Sequence, residues 1–85
     1  MYCTKIDFNG KKMKLSCREG EFKILRPARS QKGFWIVGAI VGSDEKGTMY
    51  TTRVESPDRI MVEIMRMREN IFKYHPGIKE IFGDQ

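Results

Sequence analysis

Gly33-Phe-Trp-Ile-Val-Gly-Ala-Ile-Val41 is the stretch on which the fold turns. From Phe34 to Val41 it carries no charged or hydroxyl side chain, and β-branched and aromatic residues dominate it. A run this short falls well below the roughly 20 apolar residues that a bilayer crossing needs. The cluster after it, Gly42-Ser-Asp-Glu-Lys-Gly47, is turn chemistry. The run is therefore expected to be a strand buried on both faces rather than a helix.

Toward the C-terminus, Thr48 to Val54 reads as the return strand of a hairpin, with Tyr50, Thr52 and Val54 on one side and Met49, Thr51 and Arg53 on the other. Its polar content suits an edge position. Ser56-Pro57-Asp58 then signals a helix start: serine as N-cap, proline at the first helical position, an acid in the first turn. Ile60, Ile64, Met67, Ile71 and Tyr74 recur at helical spacing, flanked by Met61, Met65 and Phe72, so an amphipathic helix is expected over about 57–74. His75-Pro76-Gly77 stops it, and a turn over 78–82 is expected to dock back on the core.

Toward the N-terminus, Asn9-Gly10 is a strong hairpin signal, because a type I′ turn needs positive φ at both central positions. A turn centred there pairs Ile6 with Met13, Thr4 with Leu15 and Tyr2 with Cys17, and gathers Lys5, Lys12 and Lys14 on the opposite face. It also separates Cys3 from Cys17, so no disulfide between them is expected. Glu19-Gly20 looks like a second tight turn returning the chain through Phe22 to Arg26, which makes a three-stranded meander with one apolar and one basic face. Pro27 ends the third strand, since it cannot donate to a ladder. Residues 27–33 follow as a flexible connection.

The expected architecture is thus α+β: an antiparallel five-stranded sheet, meander plus hairpin, over about 2–55, packed on one C-terminal amphipathic helix. Its 85 residues make a single domain over 1–85. At this size folding buries only about 60% of the unfolded surface, and a homodimer would add cover. If one helix covers one face, Trp35, Val37, Ala39 and Val41 are left to be sealed by a second copy or another partner, and Leu25 raises the same need.

Apolar residues at 40% and charged residues at 32% match a globular chain rather than a disordered one. The opening Met-Tyr-Cys-Thr-Lys lacks the apolar segment of a secretory signal, so a cytoplasmic location and no membrane association are expected. The net charge of +5 is unevenly placed. Residues 1–33 carry Lys5, Lys11, Lys12, Lys14, Arg18, Lys23, Arg26, Arg29 and Lys32 against Asp7, Glu19 and Glu21, a balance of +6. The remainder is nearly neutral. A basic block of this kind is the footprint of nucleic acid, an anionic surface or an acidic protein.

Catalytic chemistry is not encoded in any recognisable pattern. Cys3, Cys17 and His75 lack zinc spacing, no phosphate-binding glycine loop is present, and the acid pairs Glu19/Glu21 and Asp44/Glu45 sit in turns. No enzyme activity, cofactor or metal is expected. Binding is. Lys5, Lys12, Lys14 and Lys23 on the basic sheet face, continued by Arg26, Arg29 and Lys32 in the loop, are the candidate nucleic-acid contacts, with Trp35 and Tyr50 as stacking or interface groups. Single-strand binders combine a cationic track with aromatic platforms because phosphates supply affinity and every base offers a π face. The alternative is a protein-binding regulator or inhibitor of the phage or mobile-element type, docking its basic face on an acidic partner surface. The order of elements over about residues 2–74, strands and then a helix, resembles the ββββα unit of the Pur and Whirly classes of single-strand nucleic-acid binders, with one strand more. That resemblance implies a curved sheet meeting the strand and a helix supporting dimerisation.

Overall fold

The computed structural model describes residues 2–6, 12–42 and 47–82, with side chains from Leu15 onward. Strands β1 (Tyr2–Ile6) and β2 (Lys12–Ser16) form a separate two-stranded antiparallel ribbon. A second sheet contains β3 (Glu21–Ile24), β4 (Ala28–Arg29), β5 (Trp35–Gly42), β6 (Gly47–Val54) and β7 (Lys79–Glu80). A single 3-10 turn (Pro57–Arg59) leads into the one helix, α1 (Ile60–Tyr74). The protein is therefore α+β with one helix on a five-stranded sheet.

The run from Phe34 to Val41 is the axis of that sheet. On one edge β5 pairs along its whole length with β6, from Trp35 opposite Val54 to Gly42 opposite Gly47. On the other edge it pairs with β3 and β4 laid end to end. Ile24 opposes Ala39 while Ala28 opposes Ile36, so three residues on one strand face two on the other. This bulge falls at Leu25-Arg26-Pro27, where proline has no N–H to give to a ladder.

From Val37 to Gly42 both faces of β5 are buried within the chain. Phe22, Val37, Ala39, Val41 and Val54 join Met67 and Ile71 of α1 and Ile78 in one core, with Trp35 and Tyr50 packed at its margin. The opposite face buries Ile40 and Leu25 against Cys17, with Leu15, Met49 and Ile81 beside them. Trp35, Val37, Ala39 and Val41 are thus on the face that the helix covers. The other face is closed by the end of β2, by Cys17 and by the C-terminal segment.

Several expectations are corrected. The sheet is mixed rather than antiparallel, because β7 runs parallel to β3, with Glu21 opposite Lys79 and Phe22 opposite Glu80. Residues 78–82 accordingly hold a short strand instead of only a turn. No meander joins β2 to β3: Cys17 to Gly20 instead cross the end of β5, where Gly20 N–H donates to the Gly42 carbonyl at 2.6 Å. Non-local pairing with the long apolar strand outweighs the local turn signal of Glu19-Gly20. The β1–β2 ribbon forms, but its register opposes Tyr2 to Ser16 and Ile6 to Lys12, one residue from expectation. Such a slip exchanges the faces of one strand relative to the other. Asn9-Gly10 lies outside the described residues.

The helix boundaries match the sequence signals, but its start is built differently. Ser56 is extended and its hydroxyl donates to the Asp58 carboxylate rather than capping a backbone N–H. At the far end the His75 N–H donates to the Ile71 carbonyl at 2.9 Å. Apolar residues are not confined to the buried side of α1: Met67 and Ile71 are buried, whereas Met61, Val62, Met65, Phe72 and Tyr74 are exposed.

Candidate nucleic-acid interface

Residues 27–33, expected to be a flexible connection, are an ordered hairpin. Ala28 and Arg29 pair with Ile36 and Trp35, and the turn between them is tied by Ser30 N–H to the Phe34 carbonyl (2.7 Å) and Gly33 N–H to the Ser30 carbonyl (3.1 Å). Gly33 has φ of 93°, in the left-handed region where a side chain is strained. The hairpin brings cations and aromatic rings to one end of the sheet. Arg29 is directly opposite Trp35 and its guanidinium lies 6.0 Å from the indole centroid. Arg53, reaching across from β6, stacks over Phe34 at 3.9 Å. Both distances are within cation–π range.

Arg26, Arg29 and Lys32 are exposed, while Phe34 and Trp35 are half-buried, each keeping a solvent-facing part. Ion pairs among the described residues engage Arg18, Arg53, Arg59, Arg66 and Arg68, and none engages Arg26, Arg29 or Lys32. From Phe22 to Ser43 the sequence itself supplies no acidic residue. The turn also borders an open recess of about 300 Å³ lined by Ser30, Gln31, Lys32 and Phe34.

The remaining candidates are dispersed. Lys23 is half-buried in β3 opposite Ile40, on the face that carries Cys17. In the ribbon, position 5 opposes Met13, whereas positions 12 and 14 oppose Ile6 and Thr4. Directly opposed positions of an antiparallel pair share a face, so position 5 is on the other face from positions 12 and 14 and the three do not form the single basic face expected. Tyr50 pairs with Ala39, four residues along β5 from Trp35, or about 13 Å at strand rise. Its hydroxyl is hydrogen-bonded to His75 Nε2 at 3.0 Å, and its ring packs on the helix-side core. Trp35 and Tyr50 therefore do not form one stacking platform.

Phe34 and Arg53 were not among the sequence candidates. Their signal is the β5–β6 register, which sets Arg53 opposite Ile36 and beside Phe34; it becomes legible only once the length of the connecting loop is known. The Cys17 thiol is free and buried, and burial is the chief cause pushing its pKa up. Asp58 is held below the ordinary carboxyl range, chiefly by the hydrogen bond from Ser56.

Comparison with protein-family models, with characterised proteins and with solved structures finds no match to this chain. Among the described residues no helix is long and apolar enough to cross a membrane.

Proposed function

We propose that this chain is a small non-enzymatic module of the cytoplasm that binds single-stranded nucleic acid through its β4–β5 hairpin. The observation that carries the reading is the set of exposed cations outside the described ion pairs that this segment supplies, Arg26, Arg29 and Lys32, with Arg29 facing Trp35 on one side of the sheet and Arg53 stacked on Phe34 on the other. Phosphates would lie along the cations, and a base would stack on the exposed part of Phe34, whose other side is held by Arg53. The groups make no pattern for reading base edges, so weak sequence preference is expected. Lys23, half-buried on β3, adds to the positive field from outside the hairpin.

The second reading, a protein-binding regulator, draws on the apolar residues exposed on α1, Met61, Met65 and Phe72, together with Phe82. A homodimer would use the same row. Fluorescence anisotropy with labelled single- and double-stranded oligonucleotides separates the readings. The nucleic-acid reading expects preference for the single strand and a steep loss of affinity between low and physiological salt. Absence of binding below about 100 μM, where even non-specific binders register, would leave the regulator reading.

A further inference from the structure

A second concavity lies on the far side of β5 from the basic hairpin, between β6 and α1, with a volume of about 180 Å³. Its floor is Met67 and Ile71, both buried in the main core. Two tyrosines bound it. Tyr50 is held by its hydrogen bond to His75 Nε2, so its ring is set before any ligand arrives. Tyr74, at the last position of α1, is 68% exposed and has no packing reason to be aromatic.

The rim is polar. Thr52 and Asn70 each offer a donor and an acceptor. Glu63, with its side chain only 14% exposed, is bridged by Arg59 at 3.7 Å and Arg66 at 3.2 Å, so its charge is already answered on the helix itself. These features restrict the ligand. The volume is close to that of a cavity that holds one aromatic ring, about 150 Å³, so the recess seats one ring at a time. An apolar floor between two rings suits a planar π system. The neutral amide and hydroxyl at the mouth suit a ring with hydrogen-bonding groups on its edge, and Glu63 is more than compensated by Arg59 and Arg66, so the rim tolerates the phosphate of a nucleotide.

We infer that this pocket binds a single unstacked nucleobase, stacked on Tyr74 and hydrogen-bonded at its edge by Asn70 and Thr52. The choice of a base over other polar heteroaromatic rings rests on the nucleic-acid reading of the hairpin; the pocket does not.

Amide chemical-shift mapping on isotope-labelled full-length protein tests it, using adenosine and cytidine 5′-monophosphates up to about 10 mM, a decade above a millimolar dissociation constant. Ribose 5-phosphate serves as the base-free probe and indole as the ring without a matching polar edge. The expected result is saturable shifts at residues 50–52 and 66–74 with the nucleotides, none there with ribose 5-phosphate, and at least tenfold weaker binding of indole. Tyr74→Ala, at an exposed site, should weaken nucleotide binding roughly 5- to 150-fold, the worth of one stacking contact, while Tyr74→Phe retains it. Shifts confined to residues 26–35 and reproduced by ribose 5-phosphate would overturn the pocket and leave the hairpin proposal standing. Pocket shifts in a protein that binds no oligonucleotide would support the pocket and sink the hairpin proposal. Unchanged affinity in Tyr74→Ala, or indole binding as tightly as the nucleotides, would also overturn it.

Discussion

Replacing Gly42 with alanine tests the crossing of the chain over the end of β5, the feature that most separates this topology from a simple meander. Gly42 is the last residue of β5, and Gly20 N–H donates to its carbonyl at 2.6 Å. A Cβ at Gly42 would fall on the carbonyl group of Arg18, a backbone atom that cannot swing away as a flexible side chain would. Two effects of opposite sign compete. Where nothing clashes, glycine to alanine stabilises by about 0.4–1 kcal/mol by restricting the unfolded chain. Forcing an extra carbon into a packed site costs about 1–3 kcal/mol and more where backbone must move. Because backbone must shift, the cost lies in the upper part of that range and the clash should win, with a net loss of about 1–2.6 kcal/mol, against a total of roughly 4–13 kcal/mol for a chain of this length. At about 4–8 °C per kcal/mol the melting temperature should fall by about 4–21 °C.

Gly38→Ala is the internal control. Its Cβ would sit 3.1 Å from the Tyr50 carbonyl oxygen, tight but open to a shift of a few tenths of an ångström, and its loss should be under about 1 kcal/mol. The assay is thermal and urea unfolding of both variants beside the wild type. A Gly42→Ala protein as stable as the wild type, or more so, would refute the crossing and restore a meander in which the end of β5 is unobstructed.

The other predictions concern titrating groups. Burial raises the Cys17 pKa, so the folded state holds the proton more tightly than the unfolded chain; the stability this provides is full below the ordinary thiol value of 9.0 and is lost as pH rises from there through the folded value. In a Cys3→Ser background, alkylation of Cys17 at pH 8 should be at least tenfold slower than in the urea-unfolded protein, and equal rates would mean that the thiol is not buried. Asp58 is shifted the other way, so its contribution is present above the ordinary carboxyl value of 3.8 and disappears as pH falls through the lowered one. Ser56→Ala should return the Asp58 titration, followed by carbon-detected NMR, toward 3.8, and an unchanged titration would show that the serine hydroxyl is not its main partner.

The parts of this fold that were legible in the sequence are those set by local or strongly apolar signals. Phe34 to Val41 announces a doubly buried strand because eight successive positions carry no charged or hydroxyl side chain. Helix α1 is bracketed by Pro57 and Gly77, whose backbone preferences act within a residue or two. What was not legible depends on competition between distant pairings. The Glu19-Gly20 turn is present, with Gly20 at φ of 78°, yet it delivers β3 to β5 instead of returning it to β2. Strand β7 has two residues, too few for any periodicity. Of the candidate site, Arg26, Arg29, Lys32 and Trp35 were readable as cations beside an aromatic run. Their union with Arg53, and the pocket between Tyr50 and Tyr74, arise only when β6 and α1 dock on β5.

The most direct test is the salt dependence of single-strand binding in the wild type and in the triple variant Arg26→Ala, Arg29→Ala, Lys32→Ala, read by anisotropy of a labelled oligonucleotide. All three side chains are exposed and outside the described ion pairs, so the variant should fold. Each phosphate contact contributes about 0.7 to the slope of log K against log salt concentration for a single strand, so the slope should shallow by about 2 and affinity at low salt should drop at least tenfold. A triple variant with wild-type affinity and slope would contradict the placement of nucleic acid on the β4–β5 hairpin.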